Sequence, residues 1–269
     1  MTLTTAERTL PQTITARGLA LGSRRGPVYG PLDLDVPTGW VVAVVGPQGS
    51  GRTSLLLTLA GRLRPTSGTV TVLGTDGVRH ARFVQRHAAV AGFAAIDGLD
   101  GGLRVRELIK ERADLVVPLW RRPLHVTDEA YTDLVTHVFG AATLDLDVMV
   151  ADLSALDLAR LRVLLAMIGR PQLVVVDDVD AVRDPAEQRE LWRTLQRICG
   201  AGVTVVAATT SAAAIPDGVR VVSLTPPSAA RASSSTLAIP SAAEPYGSPV
   251  VTGSTHHCTT SLLLTQKEN

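Results

Sequence analysis

The sequence predicts an α/β fold: a mostly parallel sheet covered by helices, with a helical insertion at roughly residues 94–152. Three observations carry this reading. Continuous apolar runs, "WVVAVV" (40–45), "LVVVDD" (173–178) and "VTVVAAT" (203–209), have the length and content of strands buried on both faces. Segments with helical spacing alternate with them. Apolar residues make up 45% of the chain and aromatics only 3%, so the core must be built from Ala, Val and Leu. With 269 residues the chain can hold one large domain or two small ones.

Taken in order, residues 1–10 read as a polar arm. "QTITARGLAL" (12–21) and "PLDLDV" (31–36) alternate apolar and polar residues, as half-buried strands do. After the buried run at 40–45 the period changes, and "RTSLLLTLAGRL" (52–63) reads as a helix ended by Pro65 and "TSG". "TVTVLG" (69–74) is a further strand. "AAIDGLDGGL" (94–103) is a glycine-rich loop, and "RVRELIKERADLV" (104–116) and "TDEAYTDLVTHVFG" (127–140) have helical spacing. In "DLSALDLARLRVLLAMIGRP" (152–171), Ser154 and Asp157 form an S-x-x-D start signal before an apolar stripe. "PAEQRELWRTLQRICG" (185–200) is a helix, and "VRVVSL" (219–224) closes the pattern as a strand. Beyond it the chain is Pro-, Ser- and Ala-rich, a composition that cannot build a packed core, so residues 226–269 read as a disordered tail.

A formal net charge of +1 gives no electrostatic case for nucleic acid as the main partner. The two cysteines, Cys199 and Cys258, have no framework spacing, as expected in a reducing compartment. The first residues contain no apolar core of a secretory signal, and no run of 18 apolar residues exists to span a bilayer. "HHC" (256–258) lies in the low-complexity tail, and the remaining histidines show no metal-ligand spacing. Trp40, Trp120 and Trp192 read as packing anchors.

The segment "GPQGSGRTS" (46–54) reads as a phosphate-binding loop. It fits G-x-x-x-x-G-K-[ST] at every fixed position except Arg52, which stands where such loops carry lysine. Glycines suit a loop that wraps phosphates, because it needs positive φ and close backbone approach. Backbone N–H groups and the start of the following helix supply donors and a positive dipole. The candidate binding residues are therefore Gly46, Pro47, Gln48, Gly49, Ser50, Gly51, Arg52, Thr53 and Ser54, with the Thr53 hydroxyl placed for Mg²⁺. Arginine keeps the charge but brings a wide planar fork in place of a compact ammonium.

From "GPQGSGRTSLLLTLAGRLRPTSGTVTVLG" onward the sequence resembles the ATP-binding subunits of ABC transporters. The resemblance resumes at "LSALDLARLRVLLAMIGRPQLVVVDDVDAVRDP", which aligns without a gap to that family's signature motif, its helix, the Walker B strand and the D-loop. It implies a P-loop NTPase cassette at residues 11–225, with a mostly parallel core sheet, an antiparallel β part and a helical subdomain. ATP and Mg²⁺ are the implied ligands, held by Gly46–Thr53 and by Asp177, the Walker B position. Asp184 matches the D-loop aspartate, and Leu153 and Ser154 the first two signature residues. A membrane permease subunit and a second cassette are the implied partners, at the cytoplasmic face of the membrane.

The family's catalytic glutamate falls on Asp178, whose carboxylate is retracted by roughly 1.5 Å, one C–C bond. Misplacing a base by ~1 Å can cost on the order of 10²-fold. The switch histidine falls on Thr210, and no glutamine occurs between Gln85 and Gln172 to serve the Q-loop, where Asp97 or Asp100 stands instead. Ala155, Leu156 and Asp157 replace the last three signature residues, and a leucine there is expected to crowd the phosphate path. Ser154 with Asp157 can be a helix cap or a phosphate contact. The aromatic that stacks on adenine falls near Leu21, with Tyr29 close by at a short spacing. MgATP binding with weak hydrolysis is the expectation; a catalytically inactive scaffold and an ordinary ATPase with tolerated substitutions are the alternatives.

Overall fold

The computed structural model describes residues 11–93, 95–116, 129–140 and 144–226. These lie within one unit, Met1–Ser234. The arm at 1–10, nearly all of the tail at 226–269, Trp120 and the "HHC" stretch lie outside the described residues, as do 117–128 and 141–143 of the helical insertion.

Two sheets form the framework. β1 (Gln12–Ser23), β2 (Gly26–Pro37), β4 (Ser67–Val72) and the short β5 (Thr75–Asp76) make an antiparallel sheet in the order β2-β1-β4-β5. β3 (Val41–Val45), β6 (Ala88–Ala91), β7 (Leu173–Val176), β8 (Thr204–Thr209) and β9 (Arg220–Ser223) make a parallel sheet in the order β6-β7-β8-β3-β9.

β3, β6, β7 and β8 are largely apolar because each feeds two cores, whereas the edge strand β9 is mostly exposed. Successive side chains on a strand point to opposite faces. Val41, Ala43, Val174, Val176, Val205 and Ala207 belong to one core. Val42, Val44, Leu173, Val175, Val206 and Ala208 belong to the other.

The first core is closed by α3 (Val105–Val116), α4 (Glu129–Phe139), α5 (Ala155–Met167) and α6 (Pro185–Gly200), which contribute Leu108, Val138, Leu164 and the fully buried Trp192 among others. The second is closed by α1 (Arg52–Leu59), through Leu55, Leu56 and Leu59, and by the inner face of the antiparallel sheet, through Ile14, Leu19 and Val72. Trp192 is thus a packing anchor, whereas Trp40 is 40% exposed and is not.

α1 is shorter than its apolar pattern predicts. Gly61 takes φ +69°, and the N–H groups of Arg62 and Leu63 both turn back to the Leu57 carbonyl, which closes the helix end. Three elements escape the sequence reading: the two-residue strand β5, α2 (Ala81–His87) and the alanine-rich edge strand β6.

Candidate nucleotide site

Residues 46–51 leave the end of β3 and turn into α1. The turn is built so that only glycine fits at two of its points. A Cβ on Gly46 would lie 2.5 Å from the Leu224 carbonyl oxygen, and one on Gly51 2.4 Å from that of Val28. Gly51 (φ +88°) and Gly49 (φ +81°) are left-handed, and around Gly49 a Cβ would meet nothing within 4 Å. The loop is therefore packed against protein on one side and open on the other.

The start of α1 is unsatisfied. Its N-cap, Gly51, supplies no side-chain hydrogen bond, and no acidic residue occupies the first turn. A helix start leaves four backbone N–H groups without partners and a partial positive charge. Ser50 Oγ is fully buried and has no hydrogen-bond partner among the described residues. Pro47, Gln48, Gly49 and Thr53 are exposed, and Gly46 is buried beneath them.

The carboxylates arrive from the neighbouring strands. Asp177 follows β7 and donates its N–H to the Ala91 carbonyl at 2.8 Å. Its Oδ1 accepts the Asp178 N–H at 3.0 Å. Asp178 is in the left-handed region (φ +52°), and its carboxyl is pushed above the usual range, first by partial burial and then by the charges of Asp177 and Asp180, with Arg52 and Arg162 opposing. A cavity of about 90 Å³ borders Asp177, Asp178 and Arg162.

Asp180, which the sequence reading missed, is the most connected of the group. Its Oδ1 accepts from the Thr209 hydroxyl at 2.7 Å and its Oδ2 from the Thr210 N–H at 2.6 Å. Arg52 Nη1 stands 3.5 Å from the same Oδ2. The one available signal was the acid three residues after Asp177, paired with an arginine in the loop. Arg52, Asp177, Asp178 and Thr210 thus all follow the carboxyl ends of the parallel strands β3, β7 and β8.

The family model described as ABC transporter matches residues 29–181, more than half of the chain. The chain belongs to the ABC transporter family. Among curated ABC proteins, the probable multidrug ABC transporter ATP-binding protein YbhF of Escherichia coli K12 is 29% identical over 182 residues, 67% of this chain and 30% of YbhF. The daunorubicin resistance ATP-binding protein DrrA3 of Streptomyces coeruleorubidus is 31% identical over 179 residues, 66% of this chain and 54% of DrrA3. The chain therefore spans less than a third of the first relative and about half of the second. Among solved ABC cassettes, the ADP conformation of MJ1267 superposes with a TM-score of 0.65 at 13% identity, covering 79% of this chain and 87% of that one. The cbiO1 cassette of Clostridium perfringens does so at 0.63 and 16%, covering 75% and 79%. At these identities the superpositions speak for the fold.

Other ABC motif positions have structural employment. Ser154 caps α5: its Oγ accepts the Asp157 N–H at 3.0 Å and lies 2.9 Å from Asp157 Oδ2. Of the two readings of this pair, the cap is the one present. Asp157 also lies 3.6 Å from the buried Arg160. Leu156 is buried in the first core. Asp184, the D-loop position, caps α6 with bonds from the Ala186 and Glu187 N–H groups at 2.7 and 2.9 Å.

Tyr29 is fully buried, with its hydroxyl 2.8 Å from Thr58 Oγ1, so it packs under the phosphate loop and offers adenine no face. Its cross-strand partner is Leu21, which is half-buried. Asp97 accepts the Gly92 N–H at 2.5 Å, and Asp100 accepts that of Gly102 at 2.9 Å. Both Q-loop candidates are thus engaged with local backbone. Among the described residues no group of three or more His, Cys, Asp or Glu could hold a metal ion unaided, and no helix is long and apolar enough to cross a membrane.

Proposed function

We propose that this chain binds MgATP in the cradle of residues 46–54, as the nucleotide-binding subunit of an ABC-type membrane transporter, and turns the nucleotide over weakly. The observation that carries the binding is the start of α1, uncapped, free of acids and flanked by the buried unpartnered Ser50 hydroxyl. Such a start suits a polyphosphate, whose oxygens would satisfy the free N–H groups. Thr53 and Asp177 are the residues that would hold Mg²⁺, which supplies charge neutralisation on the phosphate oxygens.

Weak turnover follows from Asp178. A raised pKa makes its carboxylate a better proton acceptor. Its side chain nevertheless falls one methylene short of a glutamate, and Thr210 offers no imidazole to support charge. Calorimetric titration with MgATP tests the binding, and absence of heat would overturn it. Asp178→Glu should raise steady-state turnover by on the order of tenfold or more. Unchanged turnover would remove Asp178 as the cause.

The same reading places the chain at the cytoplasmic face of a membrane, beside a permease subunit and a second cassette, with residues 226–269 as a tail outside the cassette. A second reading, a catalytically inactive regulatory or scaffold cassette, draws support from the self-satisfied cap at Ser154 and Asp157. Turnover that disappears in Thr53→Ala would exclude it.

A further inference from the structure

The phosphate loop carries its one cation, Arg52, in an unusual setting. The side chain is only 14% exposed and faces Asp180, itself 20% exposed, at 3.5 Å. Nη1 makes that contact; Nε and Nη2 of Arg52 have no hydrogen-bond partner among the described residues. Asp180 is firmly held from below. It sits in a short 3₁₀ turn, Val179–Ala181, whose Val179 is buried in the core. Its two oxygens are bound by the Thr209 hydroxyl and the Thr210 N–H.

We propose that Asp180 is an internal competitor at the phosphate site: it holds the Arg52 guanidinium until a polyphosphate takes it. The proposal rests on the MgATP reading above. A carboxylate and a phosphate compete for the same planar donor fork. Because Thr209 and Thr210 anchor Asp180, its carboxylate does not follow Arg52 toward a ligand, and the contact must break when phosphate oxygens draw the guanidinium away. The nucleotide therefore binds against a contact that the protein makes with itself. The same anchor joins the first residue of α1 to the end of β8, so release of Arg52 is felt at Thr209 and Thr210. The contact is single and long, so its effect on affinity is modest.

The test is a double-mutant cycle on the full chain, read by calorimetry with MgATP and with inorganic triphosphate. Asp180→Asn keeps an oxygen for the Thr210 N–H and removes the charge. It should bind both ligands about threefold to fivefold tighter, the range open to a partly exposed ion pair. The gain should vanish when Arg52→Ala is also present. Asp180→Ser is the second uncharged variant, and the thermal transition of each protein establishes that it is folded.

Equal gains with and without Arg52 would mean simple repulsion by an anion and would overturn the proposal. So would unchanged or weaker binding by folded Asp180→Asn when the wild type binds, and that result leaves the MgATP reading intact. Binding gained by Asp180→Asn where the wild type shows none supports the proposal in stronger form. Absence of binding in both overturns it together with the MgATP reading.

Discussion

Helices α1 and α6 each follow the carboxyl end of a core strand, yet their first turns are opposites. α6 closes itself: Asp184 accepts two backbone N–H groups, Pro185 opens the helix without a donor to satisfy, and Glu187 adds an acid. α5 does the same with Ser154 and Asp157. α1 has neither cap nor acid, and its Gly51 has no side chain to offer. The short α2 is also without a side-chain cap or a first-turn acid, so what sets α1 apart is the buried, unpartnered Ser50 hydroxyl at its start. At α1 the loop leaves its first turn open; at α5 Ser154 and Asp157 close theirs.

The largest effect is expected from closing α1. Gly51→Asp puts a carboxylate and a Cβ where the Val28 carbonyl already sits, and should remove measurable MgATP binding in calorimetry. Opening α6 is the converse. Asp184→Ala should cost about 1 kcal/mol of stability, up to ~2. For a domain of this size that lowers Tm by about 2–4 °C per kcal/mol, readable in a thermal melt. Ser154→Ala should cost about 1 kcal/mol or less, since that cap satisfies one N–H where Asp184 satisfies two. MgATP affinity of the isolated chain should stay unchanged in Ser154→Ala, and a large loss there would make Ser154 a ligand contact.

The smallest effect concerns Asp178. Its carboxyl pKa is raised in the folded protein, so the folded state holds that proton more tightly than the unfolded state does. The ionised side chain therefore works against folding above the raised folded value, and this penalty is relieved as pH falls through it. Asp178→Asn should melt no lower than the wild type at neutral pH, with any advantage shrinking as the solution is acidified. An advantage that grew in acid would contradict the raised value.

The elements legible in sequence were those that one local rule dictates. The apolar runs of β3, β7 and β8 are legible because strands buried on both faces need no polar alternation. The phosphate loop is legible because tight turns around anions need glycines at fixed offsets. β6 was not, since "AAVA" is only four residues long, three of them alanine, and its identity as a strand comes from pairing with β7. Asp180 was not either. Its partner Arg52 lies 128 positions away, and only the order of the strands brings them together. The burial of Leu156 was not legible from its motif position either, because helix packing sets the direction of its side chain.

The order β7-β8-β3 has one more consequence. Neighbouring strands lie about 4.8 Å apart, so the ends of these three span roughly 10 Å. Asp177, Thr209 and Gly46 stand at or just past those ends, and backbone hydrogen bonds set their lateral separation whatever the loops beyond them do. The sheet acts as a ruler laid under the site. Substitutions can alter the chemistry at each mark without changing the distance between marks. The spacing is thus a property of the sheet and not of the side chains placed on it.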